Sequence, residues 1–189
     1  MRTLVSLFLI LSPFFVSSCN ESENTKPAKT VDLKYIIKEN NTSADVNWVS
    51  ANEIDALMAK DPKKMMFVFH RPGCPYCKKM KDETLRDPRI IKLLNDNFYA
   101  VLFDGRGKDP VQIMGQTFVN QKLDPEVKSN HDLHKNLVDP HNGNIYWPST
   151  VFVNENYQKL RSYPGFQPTD QFLRTLQNMI NLLTNIGTV

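Results

Sequence analysis

Cysteine is scarce in this chain: Cys19, Cys74 and Cys77 are its whole complement. Three thiols exclude a scaffold stapled by several disulfides and a four-cysteine zinc site. An excess of one charge is also lacking. The 23 Lys and Arg against 20 Asp and Glu leave +3. The basic residues are scattered, with no long basic block and no interleaved aromatics, so no nucleic-acid partner is expected. Long apolar runs are missing too. The one candidate, Leu4 to Val16, is broken by Ser6, Ser12 and Pro13, and it falls short of the ~20 residues a membrane helix needs. No internal repeat is evident. What remains is 41% hydrophobic and 23% charged over 189 residues, the composition of one globular domain with a short appendage.

The appendage is N-terminal. Arg2 precedes the apolar run, which ends in Val16-Ser17-Ser18-Cys19. Residues 1–18 read as an export signal. Their end resembles the bacterial lipobox: an apolar branched residue, two small residues, then cysteine. That resemblance implies cleavage before Cys19 and lipid on its thiol and new amino group. Ordinary secretion, with cleavage near Ser18 and Cys19 unmodified, is the plainer reading. The rarity of cysteine elsewhere and its position at the cleavage point favour the lipid anchor. Residues 19–45 are rich in Asn, Ser, Thr, Glu and Lys and read as a flexible tether, with a possible short strand at Val31–Ile36. The expected place is the cell envelope, lipid-anchored to a membrane and facing the periplasm or the cell surface.

The folded part is expected over 46–189. Val46–Val49 reads as a first strand. Ser50 and Glu53 fit a capping box, opening a short helix with Ile54, Leu57 and Met58 on its apolar face. Met65–Phe69 is short and continuously apolar, as a buried strand is. Asp87-Pro88 caps another helix with Ile90, Ile91, Leu93 and Leu94 inward. Phe98–Phe103 is the next strand. The segment from about 105 to 146 is too long to be bare loop. It contains a predicted hairpin over 111–119 and a helix over 131–138. Val151–Val153 is a strand, turned by Asn154-Glu155-Asn156 into another. A closing helix runs from about Thr169 to Leu183. The order is β-α-β-α-β, an insertion, then β-β-α: an α/β fold with a central mixed sheet flanked by helices.

Cys74-Pro75-Tyr76-Cys77 sits between the buried strand and the helical Lys78–Glu83. A dithiol at a helix start meets unpaired N–H groups and partial positive charge. Both favour thiolate, and C-x-x-C placement of this kind lowers a cysteine pKa from about 8.5 to roughly 3.5–7.5. Cys74 is expected as the exposed nucleophile and Cys77, one turn on, as the resolving thiol.

Val46 to Leu183 resembles the thioredoxin superfamily, above all the exported thioredoxin-like proteins of bacterial envelopes. The strand–C-x-x-C–helix unit carries the resemblance, together with Pro148 immediately before an apolar strand; Gly165 also matches a family glycine. The resemblance implies a cis bond at Trp147-Pro148 beside the dithiol. It implies that the neighbouring backbone pairs with an extended substrate segment and that the proline helps keep metals off the sulfurs. It implies disulfide exchange between Cys74/Cys77 and protein substrates, with Trp147 and Pro148 in substrate binding and no organic cofactor or metal required. A reductase of this kind would need a membrane-bound electron donor. The chain lacks the large helical insertion of the periplasmic oxidases, which favours the reducing direction.

The departures matter. Val68 stands where thioredoxins proper carry a buried Asp that takes a proton from the resolving thiol; water or His70 is the candidate substitute. Gly73 replaces the usual Trp, and Pro75-Tyr76 is glutaredoxin-like. The glutaredoxin Thr-Val before the cis-proline and the later Gly-Gly pair are absent, which argues against glutathione binding. A permanent structural disulfide is the bland alternative for Cys74/Cys77. A non-catalytic binding or metal-handling module is another, with His131 and His134 joining the thiols; against it, the two histidines read as incidental on a solvated helix. Lys78 and Lys79 read as a solvated face, His141 as part of a turn, and Trp147 as either core or substrate rim.

Overall fold

The computed structural model describes residues 45–182. The export signal, Cys19, the tether up to residue 44, the strand suggested at 31–36 and Leu183 lie outside the described residues. Among the described residues, no helix is long and apolar enough to cross a membrane.

The expected first strand does not form. Val46–Val49 shrinks to a single parallel bridge between Trp48 and Ala100, with Val49 N–H donating to the Ala100 carbonyl at 2.9 Å. The capping box at Ser50 then takes the chain away. Ser50 Oγ accepts from Asn52 N–H at 3.3 Å, and the Glu53 carboxylate accepts from Ser50 N–H at 3.0 Å. A 3-10 turn, Ala51–Glu53, leads into α1, Ile54–Lys60.

β1, Lys64–His70, is an interior strand and is buried on both faces. That is why its sequence is continuously apolar rather than alternating. β1 pairs in parallel with β2, Phe98–Asp104, and antiparallel with β5, Ser149–Val153. β5 pairs antiparallel with β6, Lys159–Pro164, so the sheet order is β2-β1-β5-β6.

The pleat divides the core. Met65, Phe67 and Phe69 face a layer that includes Ile54 and Met58 of α1 and the inserted segment. Met66 and Val68 face the other layer. That layer is built by α2, Pro75–Asp82, α3, Pro88–Asn97, and α5, Thr169–Asn181. The dithiol helix, expected from about Cys74 to Leu85, is shorter. It stops at Asp82, and a 3-10 turn follows, Thr84–Arg86, in which the buried Thr84 hydroxyl donates to the Gln167 carbonyl at 2.7 Å.

The insertion carries short elements of its own. β3, Val111–Ile113, and β4, Gln116–Phe118, form a hairpin whose turn residues Met114 and Gly115 both have positive φ, 59° and 65°. This is the pair of conformations that matches a hairpin's twist. The Asp55 carboxylate accepts from the N–H groups of both. Buried Asn120 ties the following segment. Its Nδ2 donates to the Gly107 carbonyl at 2.9 Å and its Oδ1 accepts from the Ser129 hydroxyl at 2.5 Å. α4, Asp132–Leu137, then packs Leu133 and Leu137 on the sheet.

Candidate active site

Strand register brings the site residues to one end of the sheet. Phe69 pairs with Ser149, and His70 pairs with Asp104. Pro148, Gly105 and the turn that leaves β1 therefore meet there. Gly105 N–H donates to the His70 carbonyl at 2.9 Å.

The turn is Arg71-Pro72-Gly73. Gly73 has φ +67°, a left-handed conformation that glycine adopts without cost. A side chain at that position, such as the tryptophan common in related proteins, would be strained. Cys74 then caps α2, with Pro75 in the first turn, where a missing N–H is harmless. The structure describes the oxidised form: Cys74 and Cys77 are disulfide-bonded, Cα to Cα 5.2 Å. Cys74 Sγ accepts from Cys77 N–H at 3.1 Å. The backbone thus already aims a donor at the sulfur expected to carry charge after reduction.

Cys74 is less open than an exposed nucleophile would be, 7% against 3% for Cys77. Its side chain folds over the helix end and is tied to Cys77. Both sulfur-bearing residues still line an open cleft of about 650 Å³, with His70, Arg71, Lys78, Lys81 and Asp82 among its walls. His70 is half-buried. Burial, then the nearby Lys81 charge, lower its pKa, and Asp104 only partly opposes them. Neutral His70 is able to accept a proton at the cleft. Val68, at the position of the missing acid, is wholly enclosed in the apolar layer.

The other side of the site is the Trp147–Pro148 loop. Its peptide bond is cis, as the resemblance implied. Gly165 N–H donates to the Pro148 carbonyl at 2.7 Å. Pro148 is buried and Trp147 half-buried. The indole stacks on His134 at 4.5 Å and 3°, and the Arg106 guanidinium lies 5.8 Å from its centroid. Trp147 is therefore packed against the core layer and also flanks the cis-proline.

The two histidines overturn their solvated reading. His131 and His134 are both fully buried. His131 caps α4: its Nδ1 accepts from Leu133 N–H at 3.2 Å, and its Nε2 is 3.1 Å from the Asp109 carbonyl, which assigns the proton to Nε2. His134 packs edge-on to Phe69, and neither of its ring nitrogens has a partner. Burial, then the charge of Arg106, push it down to about 4. Among the described residues, no group of three or more His, Cys, Asp or Glu is placed to hold a metal. A partial sequence signal was present for His134, which stands one turn before the apolar Leu137 and Val138; His131 is the cap and lies outside the helix. Gly105 completes the wall. A Cβ there would lie 2.6 Å from the Trp147 ring and 2.9 Å from His134.

Lys78 is solvated and pairs with Asp82, whereas Lys79 lies over the Phe166 ring at 4.8 Å. His141 sits in a turn bridged to Asn144.

Residues 51–180 match a family model described as a thioredoxin-like domain. In fold, the chain is similar to a thioredoxin-fold protein from Helicobacter pylori: 20% identity, TM-score 0.50, covering 68% of this chain and 75% of that one. It is similar to a thioredoxin from Thermus thermophilus, with 21% identity, TM-score 0.50, and 71% and 86% covered. It is also similar to a DsbH oxidoreductase, with 15% identity, TM-score 0.50, and 86% and 96% covered. At these identities the likeness is one of fold. No curated protein matches the sequence.

Proposed function

The chain belongs to the thioredoxin-like domain family, and from that premise we propose that it is a thiol–disulfide oxidoreductase of a bacterial envelope, working in the reducing direction on protein disulfides. One observation carries the reading. A bonded cysteine pair caps a helix, lines an open cleft and lies at the sheet end that also bears cis-Pro148.

In the reduced enzyme, the Cys74 thiolate attacks one sulfur of a substrate disulfide. The substrate S–S bond breaks, a mixed disulfide forms, and the other substrate sulfur leaves as thiolate. Cys77 loses its proton to water or to His70 and attacks Cys74 Sγ. The mixed bond breaks, the second substrate thiolate leaves, and two electrons have passed from enzyme to substrate. Cys77 N–H, already on Cys74 Sγ, favours the charged sulfur as nucleophile and as leaving group. Trp147 and Pro148 offer the backbone edge against which an extended substrate lies. A membrane-bound donor returns the two electrons. Lipid on Cys19, with residues 19–45 as tether, holds the domain at the membrane surface.

Cys74→Ser is expected to abolish insulin-disulfide reduction. Cys77→Ser should accumulate a mixed disulfide visible on a non-reducing gel. Full reduction by the Cys74→Ser protein would sink the reading. Anchoring is checked separately: fatty-acid labelling in a bacterial host should mark the full chain and spare Cys19→Ser, and an unlabelled wild type would remove the anchor.

A further inference from the structure

The cleft that reaches the dithiol is basic. Arg71, Lys78 and Lys81 line it against one carboxylate, Asp82. Lys78, one helical turn earlier, already occupies Asp82. Asp45, in the adjoining cleft that Lys81 also borders, pairs with Arg86. Among the described residues, neither Arg71 nor Lys81 has a carboxylate oxygen within the 4.0 Å of an ion pair. Arg71 Nε is buried without an acceptor, and Nη1 makes only a long 3.4 Å contact to the Pro72 carbonyl. Two half-buried cations with unspent donors thus stand beside the reactive sulfurs. The state of His70 reports the same field, since Lys81 outweighs Asp104 there.

We propose that Arg71 and Lys81 select the substrate: the cleft takes polypeptide disulfides flanked by acidic residues, with a substrate carboxylate against each cation. The inference rests on the exchange reaction proposed above and adds a binding step to it. The electron transfer is unchanged. Arg71 is the better fit for a two-pronged carboxylate contact, because its guanidinium offers a planar fork. Lys81, on the helix face just beyond the cysteines, acts as a point charge. The same charges stand near the substrate thiolate that leaves in the first step.

The test uses the reduced full-length protein and three synthetic peptides. Each carries the same internal disulfide, flanked by Glu, by Gln or by Lys. Thiol release gives kcat/KM at low and high ionic strength. The Glu peptide should lead the Lys peptide by about 5- to 20-fold at low salt, and the gap should narrow as salt rises. Arg71→Gln and Lys81→Gln should each shrink that ratio. Equal rates for the three peptides in the wild type would overturn the proposal while leaving disulfide exchange intact. No exchange with any peptide would overturn both. The peptide and salt series needs no variant, so a misfolded substitution does not shield the proposal.

Discussion

His134 has an imidazole enclosed by aromatic rings, with nothing to bond either nitrogen. Such a group can be buried only as the neutral form. The unfolded chain takes up this proton near 6.5, and the folded one only at about 4. Between those values the unfolded state holds more protons. The contribution of neutral His134 is complete above about 6.5 and is lost as pH falls through the window towards about 4, at a cost of up to ~3 kcal/mol. Urea unfolding of the wild type and His134→Phe across that window should show a steeper acid loss in the wild type. Parallel curves would contradict it. At this scale the sequence was uneven. Cys74 and Cys77 were legible, because a dithiol after a buried strand is a local pattern; Pro148 was legible only through the family resemblance, since an isolated X-Pro bond is mostly trans. The roles of His134 and Gly105 were not. Each is defined by the Trp147 ring, which only the folded chain lays against it.

Among the elements, the turn of the β3–β4 hairpin depends on a residue of α1. Burial raises the Asp55 pKa, but hydrogen bonds from Gly115, Met114 and the Tyr157 hydroxyl outweigh it and leave the carboxyl below its usual value. The same contact, after burial, helps push Tyr157 up to about 12. Asp55→Ala should remove three acceptor contacts at once and cost about 2–3 kcal/mol. Asp55→Asn should recover part of it. Denaturant midpoints and amide exchange at Met114 and Gly115 would show the effect, and unchanged exchange would refute it. The hairpin itself was readable from its turn residues; its anchor was not, being some sixty positions upstream. The strand expected at 46–49 failed for a local reason. The capping box at Ser50 ends the pairing after one bridge.

For the molecule as a whole, redox state and stability are one linked quantity. A reductase is a poor oxidant, so its folded form must favour the disulfide over the dithiol. DsbA is the opposite case, an oxidant because its reduced form is the more stable. The oxidised protein is therefore expected to unfold at higher denaturant than the reduced protein. Each 30 mV by which folding lowers the pair's potential corresponds to about 1.4 kcal/mol of that difference. Paired unfolding curves, with and without dithiothreitol, measure it. A more stable reduced form would reverse the proposed direction of electron flow.

The amino-acid order alone determined the mixed α/β class, nearly all the helices and strands, and the dithiol at a helix start. Those features rest on periodicity, caps and turn residues, which act over a few positions. Tertiary structure decided what the dithiol has for company. Strand register carried Gly105 and Pro148 to the end of β1, packing stacked Trp147 on His134, and the fold left Arg71 and Lys81 facing one cleft. The register and stacking contacts exist only once the sheet has closed its order and the helices have covered both of its faces.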